Sequence, residues 1–402
     1  MAANNTNLFG MFVHWGIYAQ LGLHEQAFAR YDIDRAEYEK LAKTFDPTEY
    51  DPDEWVIQAK ANGAKYICFT AKHHDGFCMW DTKTTDYCIM NTPYGRDVLK
   101  MLADACARHD MCLSIYYSNP DWHYEYGYNP ASTHQWKART DTEPDTEKLR
   151  AYIKAQVTEL LTNYGPVYTL FWDIPPHIFD PSINELVRRL QPGILINDRG
   201  FDTGDFSTPE RDFSKTDAQR YERMTEACNS ISALSWGYRE RDDFYTLRFL
   251  MSHIDRVMAM GGSYLLNVGP DAAGNIPRTS AERMRRIGDW YNRMEGCLEG
   301  HEADPFDYGK LRSSCIINRK NSKTYLHFPD GLMSTGLTLE QYPSQPRSVR
   351  LMNSGRAIPW EISYLPTLFK PDQPQRTCLH IYDIPADLYA DEPIVIEIEW
   401  DR

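Results

Sequence analysis

Residues 146–173 read TEKLRAYIKAQVTELLTNYGPVYTLFWD. A long helical stretch over 146–163 gives way to an apolar run at 167–173, which stops on Asp173 ahead of a Pro-Pro pair. The same alternation recurs on both sides. Upstream, GMFVHWG (10–16) reads as a strand and DPDEWVIQAKANG (51–63) as a helix with an acidic first turn. KYICFTAKHHDG then reads as a strand, GRDVLKMLADACARHD as a helix capped near Asp97, and CLSIYYS (112–118) as a strand. Downstream come the helical PSINELVRRL, the strand GILIND (193–198), a loop-rich stretch from 199 to about 234 before LSWGY, a helix near 244–260 and SYLLNVGP (263–270). Nearly continuous apolar strands separated by helices imply a parallel sheet covered on its faces. Seven or so such units, with no Gly-rich phosphate fingerprint after the first strand, fit a (β/α)8-like TIM-type barrel better than an open sheet.

From about residue 301 the texture changes. KTYLHF, TGLTLEQ, RSVRLM and PIVIEIEWD alternate with Pro- and Gly-bearing turns, the pattern of a C-terminal antiparallel β-sandwich. The expected division is a catalytic barrel over 1–300 and a sandwich over 301–402, with the boundary inside EGCLEGHEADPFDYGK.

Composition narrows the partners. The 402 residues carry a formal net charge of −14 and no basic stripe, so nucleic acid and anionic membrane are poor partners. Ten Trp and 26 Tyr suit the flat apolar faces of sugars or planar ligands. Nine Cys is an odd number without a CxxC spacing, which reads as free thiols in a reducing compartment. The amino terminus MAANNTNLFG is polar and no run of about 18 apolar residues occurs. A soluble protein is expected, its compartment open but the cytoplasm favoured.

His14, His73, His74, Ser118, Asp173, Asn197 and Asn267 all fall at or just beyond strand ends, where barrel enzymes gather their reactive groups. Asp173 points from a dry wall into the barrel mouth and is the candidate nucleophile; a helix cap or an Arg partner is its plain alternative. For the pair His73 and His74, a metal site, proton transfer, grip on a polar ligand and simple satisfaction of backbone carbonyls all compete. If the chemistry is glycoside hydrolysis with retention, a second carboxyl must sit about 5–5.5 Å from the first. Glu226, Glu222 and Glu25 are the candidates, and sequence distance does not rank them.

Taken in order, FGMFVHWGIY, TAKHHDGFCMWDTKTTDY, TNYGPVYTLFWD, ACNSISALSWGY, MGGSYLLNVGPDAAGNIP and IGDWYNRMEG resemble the α-L-fucosidases of glycoside hydrolase family 29 over roughly residues 9 to 300. The resemblance implies a barrel followed by a β-sandwich and a retaining exo-α-L-fucosidase. Asp173 would form the covalent fucosyl-enzyme and Glu226 would be the acid/base, with Glu25 as a further catalytic candidate. His14, His73, His74, Tyr117, Phe171, Trp172, Arg211 and Trp236 would line the fucose site. Three positions depart from the family pattern: Thr225 stands for a Trp, Ile174 for a Gly, and Gln26 for an aromatic residue.

The expected partner is a fucosylated oligosaccharide or glycan, with no cofactor and no metal, and with homo-oligomerisation left open. Two other readings compete. A fucose-binding protein without catalysis is suggested by the departures near Glu226 and Glu25. A metal-dependent barrel hydrolase could use His14, His73, His74 and Asp173. Against the metal, neighbouring residues on one extended strand face opposite ways, so His73 and His74 should not meet at one point.

Overall fold

The structure, a computed structural model, describes residues 7–211, 218–294, 296–309, 311, 315–365 and 375–401. Most of the polar amino-terminal stretch, residues 1–6, lies outside the described residues. Seven strands, β1 (Phe9–Val13), β2 (Tyr66–Lys72), β3 (Cys112–Ser118), β4 (Val167–Asp173), β5 (Leu195–Ile196), β6 (Glu226–Ser230) and β7 (Ser263–Val268), form one parallel sheet in the order β5-β4-β3-β2-β1-β7-β6. Between them run α1 (Ala27–Arg30), α2 (Arg35–Glu39), α3 (Pro52–Ala61), α4 (Val98–Arg108), α5 (Thr146–Asn163), α6 (Pro181–Leu190) and α7 (Leu247–Ala259), and α8 (Arg278–Arg293) follows β7.

Local chemistry explains the helix starts. Asp34, Asp51, Asp97, Asp145, Asp180 and Thr246 each accept a first-turn N–H at the head of α2 to α7. Each such cap is worth about 1 kcal/mol. The strands are buried on both faces, and alternation sorts their side chains. Phe12, Tyr66, Cys68, Tyr116, Phe171, Cys228 and Leu265 cluster on the concave face of the curled sheet, while Met11, Val13, Ile67, Phe69, Ile115, Leu170 and Trp172 pack outward into the larger core beneath the helices.

Two expectations need correction. The strand expected over 193–198 shrinks to Leu195–Ile196, because the Asn197 side chain takes over the ladder: its Oδ1 accepts from Trp172 N at 2.9 Å and its Nδ2 donates to Trp172 O at 2.8 Å. The stretch read as loop-rich holds strand β6, whose five residues EACNS are all buried although they show no apolar run.

β5 and β6 are not paired with each other. The segment 205–211 runs between them and bonds to both. On one side Asp205 N donates to Ile196 O at 2.6 Å and Asp198 N to Phe206 O at 2.9 Å; on the other Glu226 N donates to Ser207 O at 2.9 Å and Arg211 N to Cys228 O at 3.0 Å. Gly204, at φ 59°, makes the turn into this segment, where a Cβ would strike the Asn197 carbonyl.

Residues 302–400 build two antiparallel sheets from β8 (Glu302–Ala303), β9 (Ile316–Lys320), β10 (Lys323–Phe328), β11 (Leu337–Leu339), β12 (Pro346–Leu351), β13 (Arg356–Ala357), β14 (Trp360–Tyr364), β15 (Thr377–Ile381) and β16 (Ile394–Trp400). Their orders are β13-β12-β16-β10-β9-β8 and β11-β15-β14, and Leu326, Phe328, Leu339, Val349, Leu379, Ile396 and Ile398 share one core. These sheets dock on α7, where His327 Nδ1 lies 2.8 Å from Asp255 Oδ1 with both side chains fully buried. All nine cysteines are free. Among the described residues, no helix is long and apolar enough to cross a membrane.

Candidate active site

A cavity of about 220 Å³ opens at the carboxyl end of the parallel sheet, lined among others by His14, His73, His74, Tyr116, Phe171, Asp173, Arg199, Glu210 and Trp236. Asp173 ends β4 and faces into it. Its Oδ2 accepts from Tyr116 Oη at 2.6 Å and its Oδ1 from Arg199 Nη1 at 3.0 Å. Burial would push the carboxyl upward, but the Arg199 guanidinium, aided by the Tyr116 hydrogen bond, outweighs it and holds the group below the usual Asp value. Asp173 is therefore an ionised carboxylate in a nearly dry wall.

The same Arg199 nitrogen donates to Glu210 Oε2, also at 3.0 Å. Two oxygens that share one donor at that distance are no more than about 6 Å apart, which brackets the carboxyl separation of retaining glycosidases. Sequence reading missed both Arg199 and Glu210. Arg199 lies two residues past Asn197, a strand-end position already singled out, and Glu210 is next to Arg211. The signal was there, but nothing in a single sequence marks which residue of TPERD faces inward.

The three histidines meet in this cavity. The argument that His73 and His74 must face opposite ways fails, because β2 ends at Lys72 and both residues belong to the turn that follows. Gly76 N donates to His73 O at 3.1 Å and Trp122 N to His74 O at 2.8 Å. Gly76 itself sits at φ 82°, where a Cβ would collide with the Asp121 carboxylate. The two imidazole centroids are 4.1 Å apart.

Their protonation follows from their partners. Burial lowers His14 and His74 to about 4, and lowers His73 as well, so all three rings are neutral at neutral pH. Ser118 Oγ donates to Pro120 O and so accepts from His74 Nδ1, at 2.7 Å. Asn267 Nδ2 donates to Ser230 Oγ and Trp236 O, which turns its Oδ1 to His14 Nδ1 at 2.7 Å. On this network both rings keep Nε2 bare as an acceptor for a ligand hydroxyl. The buried Nδ1 of His73 has no partner at all. Among the described residues, no group of three or more His, Cys, Asp or Glu is placed to hold a metal ion.

Other expected site residues land elsewhere. Of the pair Phe171 and Trp172, only Phe171 lines the cavity; Trp172 points outward and donates to Asn184 Oδ1 of α6 at 2.9 Å. Likewise Tyr116, rather than Tyr117, reaches Asp173. Tyr117 is on the helix-covered face, where its hydroxyl donates to Gln156 at 2.6 Å and accepts from Lys72 at 3.1 Å. Arg211 does not line the cavity either: its guanidinium stacks 4.5 Å over the Trp236 ring, backing the indole that does. Ile174 lines the cavity beside Asp173 at φ 59°, a conformation that costs a β-branched residue about 1–2 kcal/mol. Asn119 Nδ2 holds it there through a 3.0 Å bond to its carbonyl.

The carboxylates expected as acid/base candidates are not in the cavity. Glu226 is the first residue of β6 and pairs with Ser263, whereas the cavity wall reaches down β6 to Cys228. Two residues of strand, about 7 Å, separate it from that wall. At this amino end its Oε2 accepts from Tyr66 Oη at 2.6 Å, its Oε1 has no partner, and burial raises the carboxyl to about 7. Glu25 is buried beneath the loop at 235–237 and accepts from Ser235 Oγ (2.8 Å), Trp236 N (2.9 Å) and Gly237 N (3.2 Å). It braces the loop that carries Trp236. Glu222 is exposed on the surface.

A family model described as Alpha-L-fucosidase matches residues 4–295. The chain is 27% identical to a plasma α-L-fucosidase of Rattus norvegicus over 320 residues, 70% of this chain and 66% of that relative. It thus spans about two thirds of the length of such curated relatives. Among solved structures, α-L-fucosidase isoenzyme 1 from Paenibacillus thiaminolyticus superposes with a TM-score of 0.84 at 30% identity, covering 99% of this chain and 98% of that one. An α-L-fucosidase from Lactobacillus casei in complex with its α-L-fucose product superposes with a TM-score of 0.63 at 29% identity, covering 71% of this chain and 96% of that one.

Proposed function

The chain belongs to the α-L-fucosidase family, and on that premise we propose that it is a retaining exo-α-L-fucosidase acting on terminal α-L-fucosides of oligosaccharides or glycoconjugates. The observation that carries this reading is the pair Asp173 and Glu210 on one Arg199 nitrogen, which keeps the two bonded oxygens within about 6 Å, a bound that admits the spacing of double displacement. Asp173 attacks the anomeric carbon and forms a covalent fucosyl-aspartate. Glu210 protonates the departing oxygen, then deprotonates the water that hydrolyses the intermediate.

Two carboxylates share a single guanidinium here. His14 and His74 accept hydroxyl protons at Nε2, the His73 ring lines the same cavity, and Phe171 and Trp236 cover the apolar face. Tyr117, Trp172, Arg211 and Glu25 act from behind as supports. Glu226 takes no part in the chemistry.

The curled sheet is read as a closed (β/α)8-type barrel in which segment 205–211 is the eighth, irregular stave; its bonds to both edge strands support this. Residues 1–300 form the barrel unit and 301–402 a β-sandwich. The test is incubation with an aryl α-L-fucoside and with α-1,2, α-1,3, α-1,4 and α-1,6 fucosyl oligosaccharides, the anomer of the first product being read by NMR. Release of α-L-fucose is expected. Release of the β anomer, or no hydrolysis of any member, overturns the reading.

A further inference from the structure

The long connection from β3 to α5 carries an indole that the chemistry above does not use. Trp136 is 57% exposed, an unusual position for a large aromatic side chain. Its ring lies 4.6 Å from that of His134. His134 in turn lines the rim of the cavity and sits 5.6 Å from His74, so Trp136 is one ring removed from the wall that holds Asp173.

This ring is held in place. Trp122 Nε1 donates to His134 O at 2.7 Å, and Arg35 donates to Lys137 O. Lys137 Nζ donates to Asp32 and to Ile33 O, at 2.6 and 3.1 Å. The loop is also tied to the chain that follows the nucleophile: Asn129 Nδ2 donates to Pro176 O and Ser132 Oγ to Pro175 O, both at 2.9 Å. His134 keeps a left-handed backbone, φ 59°, within this tethered segment. An exposed indole on a pinned loop, keyed to the loop after Asp173, is a rigid apolar face beside the cavity mouth; such faces bind flat apolar surfaces at little cost in ordering.

We propose that Trp136 is the platform of a subsite for the sugar attached to the fucose, stacking on a pyranose ring of the leaving group. This rests on the fucosidase reading and adds the place where the sugar of the leaving group is held. His134, at the rim between the cavity and Trp136, supplies the polar contact at the junction of the two sugars.

The experiment compares α-L-fucosyl fluoride, whose leaving group is one atom, with the best fucosylated trisaccharide of the four linkages. The readout is the ratio of kcat/KM on the trisaccharide to that on the fluoride. In Trp136→Ala this ratio should fall about tenfold or more, chiefly through KM, and Trp136→Phe should recover most of it. Fluoride turnover by each variant reports that it is folded. A ratio unchanged in Trp136→Ala, or one that Trp136→Phe fails to recover, overturns the subsite while leaving the fucosidase reading intact. A wild-type protein that cleaves neither substrate overturns both.

Discussion

At the carboxyl end of the parallel sheet the Asp173 carboxyl meets a guanidinium and a phenol; at the amino end, two residues down β6 from the cavity wall at Cys228, the Glu226 carboxyl meets a phenol alone. Burial pushes both upward. Arg199 reverses the push at Asp173, and nothing reverses it at Glu226, which is raised to about 7. The phenols Tyr116 and Tyr66 are thus a constant and the cation is the variable. A buried acid becomes a nucleophile where a fixed positive charge keeps it ionised and an opening admits substrate. Without either, it is a hydrogen-bonding group in a core that keeps its proton up to about pH 7.

The largest effect that would sharpen this contrast is loss of the nucleophile. Asp173→Gly should lower kcat/KM by about 10³-fold or more, and azide should restore turnover with a β-fucosyl azide product. Activity within a few-fold of wild type would break the assignment. Glu210→Ala comes next. It should cost about 10²–10⁴-fold on sugar leaving groups and far less on activated aryl fucosides, with azide accelerating the latter. Glu226→Gln and Glu25→Gln should show neither signature; if Glu226→Gln shows both, the two ends of the sheet have been read the wrong way round.

A smaller effect tests the cation. Arg199→Met removes the charge that holds Asp173 low, so its carboxyl rises and the acid limb of the kcat/KM profile moves to higher pH, since the ionised form attacks. A limb that stays in place, measured on an aryl fucoside, would show that Arg199 does not set the ionisation.

The smallest effect on turnover is expected from the amino end, where the readout is stability. Glu226 binds its proton more tightly folded, at about 7, than an exposed glutamate does at 4.5. Its contribution is complete below about 4.5 and is lost as pH rises through about 7, a change of about 3 kcal/mol. Glu226→Gln removes that dependence, so the variant's Tm should fall less than that of wild type between pH 5 and pH 8. Equal slopes would refute a neutral Glu226.

Sequence periodicity located the strands whose apolar runs are complete, and β3, α5, β4 and α6 end where they were expected to. It failed where a side chain replaces a ladder bond, at Asn197, and where the buried strand is polar, at EACNS. In the site, the rule that alternate residues share a face was decisive and was applied to the wrong pairs. It sorts Phe171 from Trp172 and Tyr116 from Tyr117, which lie within strands, but not His73 from His74, which lie beyond one. Family resemblance led to Asp173 and the histidines. It also led to Glu226, whose frame residues Cys228 and Trp236 do line the cavity while Glu226 itself does not.

The segment 205–211 has one more consequence. Asp173 ends a strand laddered to β3 at five residue pairs, while Glu210 rides on an irregular seam whose backbone meets β5 only through the bonds at Asp205 and Asp198. Amides in such a seam exchange with solvent through partial openings well below the free energy of global melting. On the proposed roles, warming should release Glu210 while Asp173 is still in register, so fucosidase activity should be lost before the fold is. The gap between the two temperatures measures how firmly the ring is clasped.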